Sequence, residues 1–235
     1  MSIGLVVFDM AGTTVFDDGH VNRAFRDAAE EFALAVSKEA VDALMGFSKR
    51  EAITEIVAAN TGRRDDSSLI DSIYERFVDL MVEHYMSNPE VREIPGASGV
   101  FRTLRSMGIR VGLDTGFPRR IAEALVNRLG WQVGRDIDAL VAGDDLAKGR
   151  PAPLMIQKIM SDLGVASSSA VAKVGDTLVD VLEGRNAGCG LVVGVTSGSC
   201  DRAQLEEAGP DHILESVADL PALLRTMGAV YHIQA

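Results

Sequence analysis

Long apolar runs are missing from this 235-residue chain; nothing approaches the roughly 18 residues that a membrane-spanning helix needs. The apolar start is ended by Asp9, carries no basic region, and is too short for a leader peptide. Cysteine is scarce. Cys189 and Cys200 lack metal-ligand spacing and are too few for a disulfide-stapled scaffold, so they read as reduced thiols of a cytoplasmic protein. Positive charge is short as well. Lys and Arg total 23 against 34 Asp and Glu, a net charge of −11. Such a field repels nucleic acid and anionic membranes. An anionic substrate would need that field reversed locally, by a metal or a small basic patch. No repeat and no low-complexity segment occurs.

What remains is a globular composition, 47% hydrophobic and 24% charged, enough for a packed core in one large or two small domains. Short apolar runs at 3–8, 109–113, 139–141, 171–174 and 191–195 suit strands buried on both faces of a parallel sheet. Helical stripes separate them: Val100, Leu104 and Met107; then Ile121, Leu125 and Leu129, entered through Pro118; then Leu154, Ile156, Ile159, Met160 and Leu163. This alternation predicts a Rossmann-like, doubly wound α/β core. It breaks once. From about residue 19 to 90 only helical periodicity appears, on Val21, Phe25, Ala28 and Phe32, on Val41 and Leu44, on Ile53, Ile56 and Val57, and on Leu69, Ile73, Phe77, Leu80 and Met81. The expected organisation is a core of residues 1–17 and 93–235 with an all-helical cap, residues 18–92, inserted after the first strand. Two linkers crossing between them would allow hinge motion.

Ligands of open parallel sheets bind beyond the carboxyl ends of the strands. Those ends read Asp9-Met10-Ala11-Gly12-Thr13-Thr14, Asp114-Thr115-Gly116, Gly143-Asp144-Asp145 followed by Gly149-Arg150-Pro151-Ala152-Pro153, and Gly175-Asp176-Thr177 with Asp180 one helical turn on. A carboxylate at the first strand end can attack phosphorus and form an aspartyl-phosphate. Asp9 and Asp176 can hold a hard divalent cation that offsets the repulsion between nucleophile and phosphoryl group. Thr115 and the Gly116 N–H can bind phosphoryl oxygens, and Arg150 can neutralise the remaining charge and orient Asp9. Each residue also has a plain structural reading. Asp176 and Asp180 are common helix-start acids, and Lys148 competes with Arg150 for its role.

In that order and spacing, these motifs resemble the haloacid dehalogenase superfamily of phosphohydrolases over essentially the whole chain. The resemblance makes Asp9 the nucleophile. It assigns Mg2+ to the side chains of Asp9 and Asp176 and the carbonyl of Ala11, with Asp180 just behind. Phosphatases of the superfamily carry a second Asp where this chain has Ala11, and Ala cannot protonate a leaving alcohol. The Asp9–Thr14 loop instead looks like that of the phosphonatase-like subfamily. There a cap lysine forms a Schiff base with an aldehyde, and the iminium accepts the electrons of the breaking C–P bond. The subfamily's Met-Gly-x-x-Lys motif is matched by Met45-Gly46-Phe47-Ser48-Lys49. Gly12, Thr13, Met45, Gly116 and Phe117 are then expected to line the substrate pocket. Phe117 stands where the subfamily has Tyr, Ala52 where it has His, and His20 where a Cys is expected.

Local chemistry around Lys49 points the same way. Ser48 and Glu51 fit a capping box, which puts Lys49 at the first helical position. The helix dipole and Arg50 both disfavour an ammonium there, and burial adds to this. Taken alone, Lys49 would equally be a solvated helix-start lysine. The expected function is Mg2+-dependent hydrolysis of phosphonoacetaldehyde or a related phosphonate aldehyde. The alternative is hydrolysis of a small phosphomonoester such as phosphoglycolate. The expected partners are that small substrate and at most a second copy of the chain, as monomer or homodimer.

Overall fold

The computed structural model describes residues 3–233, with side chains to Gly228, so His232 lies outside the described side chains. Among the described residues six strands form one sheet: β1 (Leu5–Phe8), β2 (Arg110–Thr115), β3 (Ala139–Ala142), β4 (Val171–Gly175), β5 (Leu191–Val195) and β6 (His212–Leu214). Every neighbouring pair is parallel, in the order β3-β2-β1-β4-β5-β6. The central strands β1, β4 and β5 are buried throughout, which is why they read as continuous apolar runs. β6 left no such trace. It has three residues at the sheet edge, none fully buried.

Strand order reverses direction between β1 and β4, and the crevice at such a reversal is where this architecture binds ligands. The sheet is flanked by α5 (Ala97–Ser106), α6 (Arg119–Arg128), α7 (Leu154–Asp162), α8 (Leu178–Ala187), α9 (Arg202–Ala208) and α10 (Leu220–Ile233). No described helix is long and apolar enough to cross a membrane.

Between β1 and α5 lie only helices: α1 (His20–Glu30), α2 (Lys38–Asp42), α3 (Lys49–Thr61) and α4 (Ser67–Ser87). Their apolar stripes meet over Val21, Phe25, Ile53, Val57, Ile73, Phe77 and Met81, all buried, with Phe25 and Phe77 stacked at 4.3 Å. α1 stops two residues short of the end its periodicity predicts. The helix ends at Glu30, and Phe32 is left half exposed in the following turn. The outgoing and returning chains run side by side: Phe16 N–H donates to the Arg92 carbonyl at 3.0 Å, and Ile94 N–H to that of Thr14 at 2.8 Å. α4 packs on α6, where Arg120 reaches Glu75 at 3.3 Å and Asp79 at 3.0 Å.

Candidate active site

Asp9 is the first residue past β1 and is buried. The chain then turns tightly, because the Met10 carbonyl accepts from the amides of Thr13, Thr14 and Val15. Gly12 makes the turn possible. Its φ is 90°, and a Cβ there would collide with the Asp176 carboxylate. Thr13 closes the turn onto the neighbouring strand end, its hydroxyl donating to Asp176 Oδ1 at 2.9 Å. The loop after β5 supports the same carboxylate from the other side. Ser199 N–H donates to Asp176 Oδ2 at 2.7 Å, and Ser197 Oγ donates to the Gly12 carbonyl at 2.8 Å.

Asp180 is the third residue of α8 and closes a full capping box with Thr177. Its Oδ2 accepts from the Thr177 hydroxyl at 2.5 Å, and its Oδ1 meets Arg150 Nη1. The same Arg150 nitrogen donates to Asp9 Oδ1 at 2.8 Å. Of the two cations that could serve Asp9, Arg150 is the one bonded to it; Lys148 appears in no such contact. Asp9, Asp176 and Asp180 each offer a carboxylate oxygen within 4.8 Å of the others, all buried. This proximity has an electrostatic cost. Burial raises the Asp176 carboxyl from 3.8 to about 8, and repulsion from Asp9 and Asp180 adds to it. Burial and Asp180 likewise raise Asp9, to about 6, against the pull of Arg150. Burial alone would raise Asp180 too, but Arg150 and Lys173 outweigh it and hold that group below its ordinary value. A buried all-oxygen set whose anions repel one another fits a hard divalent cation such as Mg2+.

Thr115 ends β2 and Gly116 follows it, on the opposite side of Asp9. Thr115 is buried, and its hydroxyl accepts from Phe117 N–H at 3.1 Å. Here the two halves of the molecule touch. The Gly116 carbonyl accepts from Lys49 N–H at 3.2 Å, and a Cβ on Gly116 would collide with the Phe47 carbonyl. Gly46 makes the second contact. It has φ 87°, and a Cβ there would lie 2.5 Å from Thr177 Oγ1. The Met45-Gly46 pair therefore has a steric reason for its glycine. Met45 and Gly46 line a small cavity together with Asp9, Lys49, Gly116, Phe117 and Arg150.

Lys49 is the first residue of α3, as the sequence predicts, and is buried. Only half of the expected capping box forms. Ser48 Oγ accepts from Glu51 N–H at 3.3 Å, but the Glu51 carboxylate turns to the Ser48 hydroxyl instead of the backbone. The Lys49 amine lies over the rings of Phe25 and Phe117, at 5.4 and 5.1 Å from their centroids. Burial lowers it from 10.5 to about 8, assisted by the Arg150 charge. Tyr85 of α4 packs its ring edge against Phe117. Ala52 is buried in the apolar core. His20 stacks on His84 with centroids 3.8 Å apart, beside the linker, and is not among the cavity-lining residues.

Sequence reasoning gave no role to three buried groups behind the site, Asp114, Lys173 and Glu183. A lysine inside the apolar run Val171-Ala172-Lys173-Val174 was the one available signal.

The comparisons with known proteins agree with this geometry. A family model described as haloacid dehalogenase-like hydrolase matches residues 3–188. The phosphonoacetaldehyde hydrolase of Bordetella avium is 32% identical, over 95% of this chain and 90% of its own. That of Pseudomonas aeruginosa is 31% identical, over 95% and 92%. Among solved structures, a phosphonoacetaldehyde hydrolase-like protein from Oleispira antarctica superposes with a TM-score of 0.83 at 25% identity, covering 96% of this chain and 92% of that one. A hydrolase from Pseudomonas syringae superposes with a TM-score of 0.84 at 20% identity, covering 95% and 98%. With the Asp9 loop, a basic residue and an acidic helix start gathered at one sheet crevice, and with these relatives, the chain belongs to the haloacid dehalogenase superfamily of hydrolases, among its phosphonatase-like members.

Proposed function

We propose that the protein hydrolyses the carbon–phosphorus bond of phosphonoacetaldehyde or a closely related phosphonate aldehyde, through Asp9 and Lys49. One observation carries the reading: a buried lysine amine with a depressed pKa lines the same cavity as the candidate nucleophile. An amine poised near neutrality is what imine chemistry requires, and an ordinary surface lysine would be almost wholly protonated.

The steps follow from the residues. The neutral Lys49 amine adds to the aldehyde carbon, and loss of water leaves an imine that becomes an iminium on protonation. Arg150 holds Asp9 Oδ1, which leaves the second oxygen to attack phosphorus. As the new O–P bond forms, the C–P bond breaks and its electron pair moves onto the iminium, giving an enamine on Lys49. No acid is needed at the leaving carbon at that moment, which fits Ala11 in the place of a proton donor. The enamine takes a proton and water releases the aldehyde. A second water cleaves the aspartyl-phosphate and returns Asp9. In this reading the Thr115 hydroxyl and the Gly116 amide bind phosphoryl oxygens, and Arg150 neutralises them. Bound Mg2+, held by Asp9, Asp176 and the Ala11 carbonyl with Asp180 supporting, would supply Lewis-acid stabilisation of phosphoryl charge.

The cavity holds about 20 Å³, room for one water molecule. In this reading substrate enters with residues 18–92 swung away from the sheet, about the paired linkers, where a cleft of about 430 Å³ lined by Ser48, Lys49 and Gly116 already opens beside the cavity. Closure then brings Lys49 over Asp9 and excludes bulk water.

The test is phosphate release from phosphonoacetaldehyde with Mg2+, wild type beside Lys49→Arg and Asp9→Asn. Release by wild type alone is expected, since Arg keeps the charge but forms no imine and Asn is no nucleophile. An active Lys49→Arg protein would overturn the Schiff-base route. An inactive but folded wild type that instead hydrolyses phosphoglycolate would move the substrate to phosphomonoesters.

A further inference from the structure

Behind Arg150 lies a buried ionic cluster of which the steps above use only Asp180. Lys173 Nζ is 2.5 Å from Asp114 Oδ1, 2.9 Å from Glu183 Oε2 and 3.4 Å from Asp180 Oδ1. All four side chains are at most 1% exposed. Arg150 reaches into the same cluster. Its Nη1 lies on Asp9 Oδ1 and Asp180 Oδ1, and 3.8 Å from Asp114 Oδ1. Arg150 therefore has three anionic neighbours, Asp9 in front, Asp180 beside it at the start of α8, and Asp114 behind. Lys173 sits on the very Asp114 oxygen that faces Arg150.

That placement leaves the guanidinium free for work at the front. Arg150 Nε is buried without a partner, and Nη2 lies 3.3 Å from the place a Cβ of Gly116 would take, on the side where phosphoryl oxygens are expected. A role in stability alone does not account for the cluster. Buried ion pairs are often no more stabilising than well-packed apolar residues of the same volume. Asp114 Oδ2 and Glu183 Oε1 are also left without partners, an arrangement that costs folding energy.

We propose that Lys173 is a positioning residue: by occupying Asp114 and Glu183 it keeps Arg150 forward, on Asp9 and the phosphoryl group. Removing the Lys173 charge releases Asp114 to draw the guanidinium back. The inference rests on the reading of the crevice as a phosphoryl site.

The experiment compares Lys173→Met with the double variant Lys173→Met/Asp114→Asn. Melting temperature is measured for each, with the dissociation constant of orthovanadate by calorimetric titration in MgCl2. The expected result is vanadate binding at least about tenfold weaker in Lys173→Met, recovering to within about threefold of wild type once Asp114 loses its charge. Kinetically, KM for the phosphonate should rise and recover in parallel with vanadate binding. Wild-type affinity in folded Lys173→Met, or no recovery in the double variant, overturns the positioning role while the functional reading stands. Absence of vanadate binding in wild type overturns both. If Lys173→Met does not fold, Lys173→Met/Glu183→Gln, which removes a buried charge of each sign, takes its place with and without Asp114→Asn, under the same criteria.

Discussion

Replacing Lys49 with Met should stabilise the folded protein near neutral pH. In the unfolded chain the amine has its ordinary value of 10.5, and in the fold it falls to about 8. Below pH 8 both states are protonated, and the folded state carries the full cost of a buried ammonium. Between about pH 8 and 10.5 the folded state has lost its proton and the unfolded chain has not, so stability rises with pH across that window. At about 1.4 kcal/mol per pK unit the cost is on the order of 3 kcal/mol. Contacts of the ammonium with the Phe25 and Phe117 rings return roughly 1 kcal/mol of it. Methionine fills the same apolar slot without the charge. Urea unfolding of both proteins at about pH 7 should show the variant more stable by roughly 2 kcal/mol, and that gain should shrink by about 2 kcal/mol near pH 10. Comparing the two proteins at each pH cancels the other titrating groups. A variant destabilised at pH 7, or a difference that does not change with pH, would refute the placement of a strained amine in this cavity.

Two further outcomes follow from the crevice. In the metal-free protein Asp176 holds a proton that the unfolded chain releases between pH 3.8 and about 8, so stability falls as pH rises through that window. Mg2+ must displace this proton, so its affinity should climb up to tenfold per pH unit below about 8 and then level, by calorimetry. EDTA should reverse both the binding and the thermal stabilisation. Gly46→Ala combines a left-handed backbone with a Cβ 2.5 Å from Thr177 Oγ1, and that hydroxyl is already committed to Asp180. It should cost about 1–3 kcal/mol and hold the helical cap off the crevice. A raised KM and faster limited proteolysis of the linkers would register this, and an unchanged protein by both measures would contradict the contact.

Much of this was legible along the chain because its cause is local. Buried parallel strands betray themselves as apolar runs, and a strand-end aspartate followed by glycine is a turn whatever surrounds it. Asp9, Gly12, Thr115, Arg150, Asp176 and Asp180 stand at strand ends that a doubly wound sheet must bring together. Helical periodicity between residues 19 and 90 marked the stretch that forms α1 to α4, and Ser48 marked the start of α3. Edge strand β6 was invisible, since three half-solvated residues carry no period.

The sequence by itself determined the fold class, the order of the elements and the strand ends where chemistry would gather. Only the tertiary structure decided what those groups became. It placed Lys49 over Phe25 and Phe117, which come from parts of the chain 24 and 68 residues away. It put Lys173 against Asp114, 59 residues distant, and so divided two cations among the carboxylates behind Asp9. Burial and the distance between charges set whether an amine is neutral or a carboxylate ionised, and both belong to the packed molecule, not to the order of its residues.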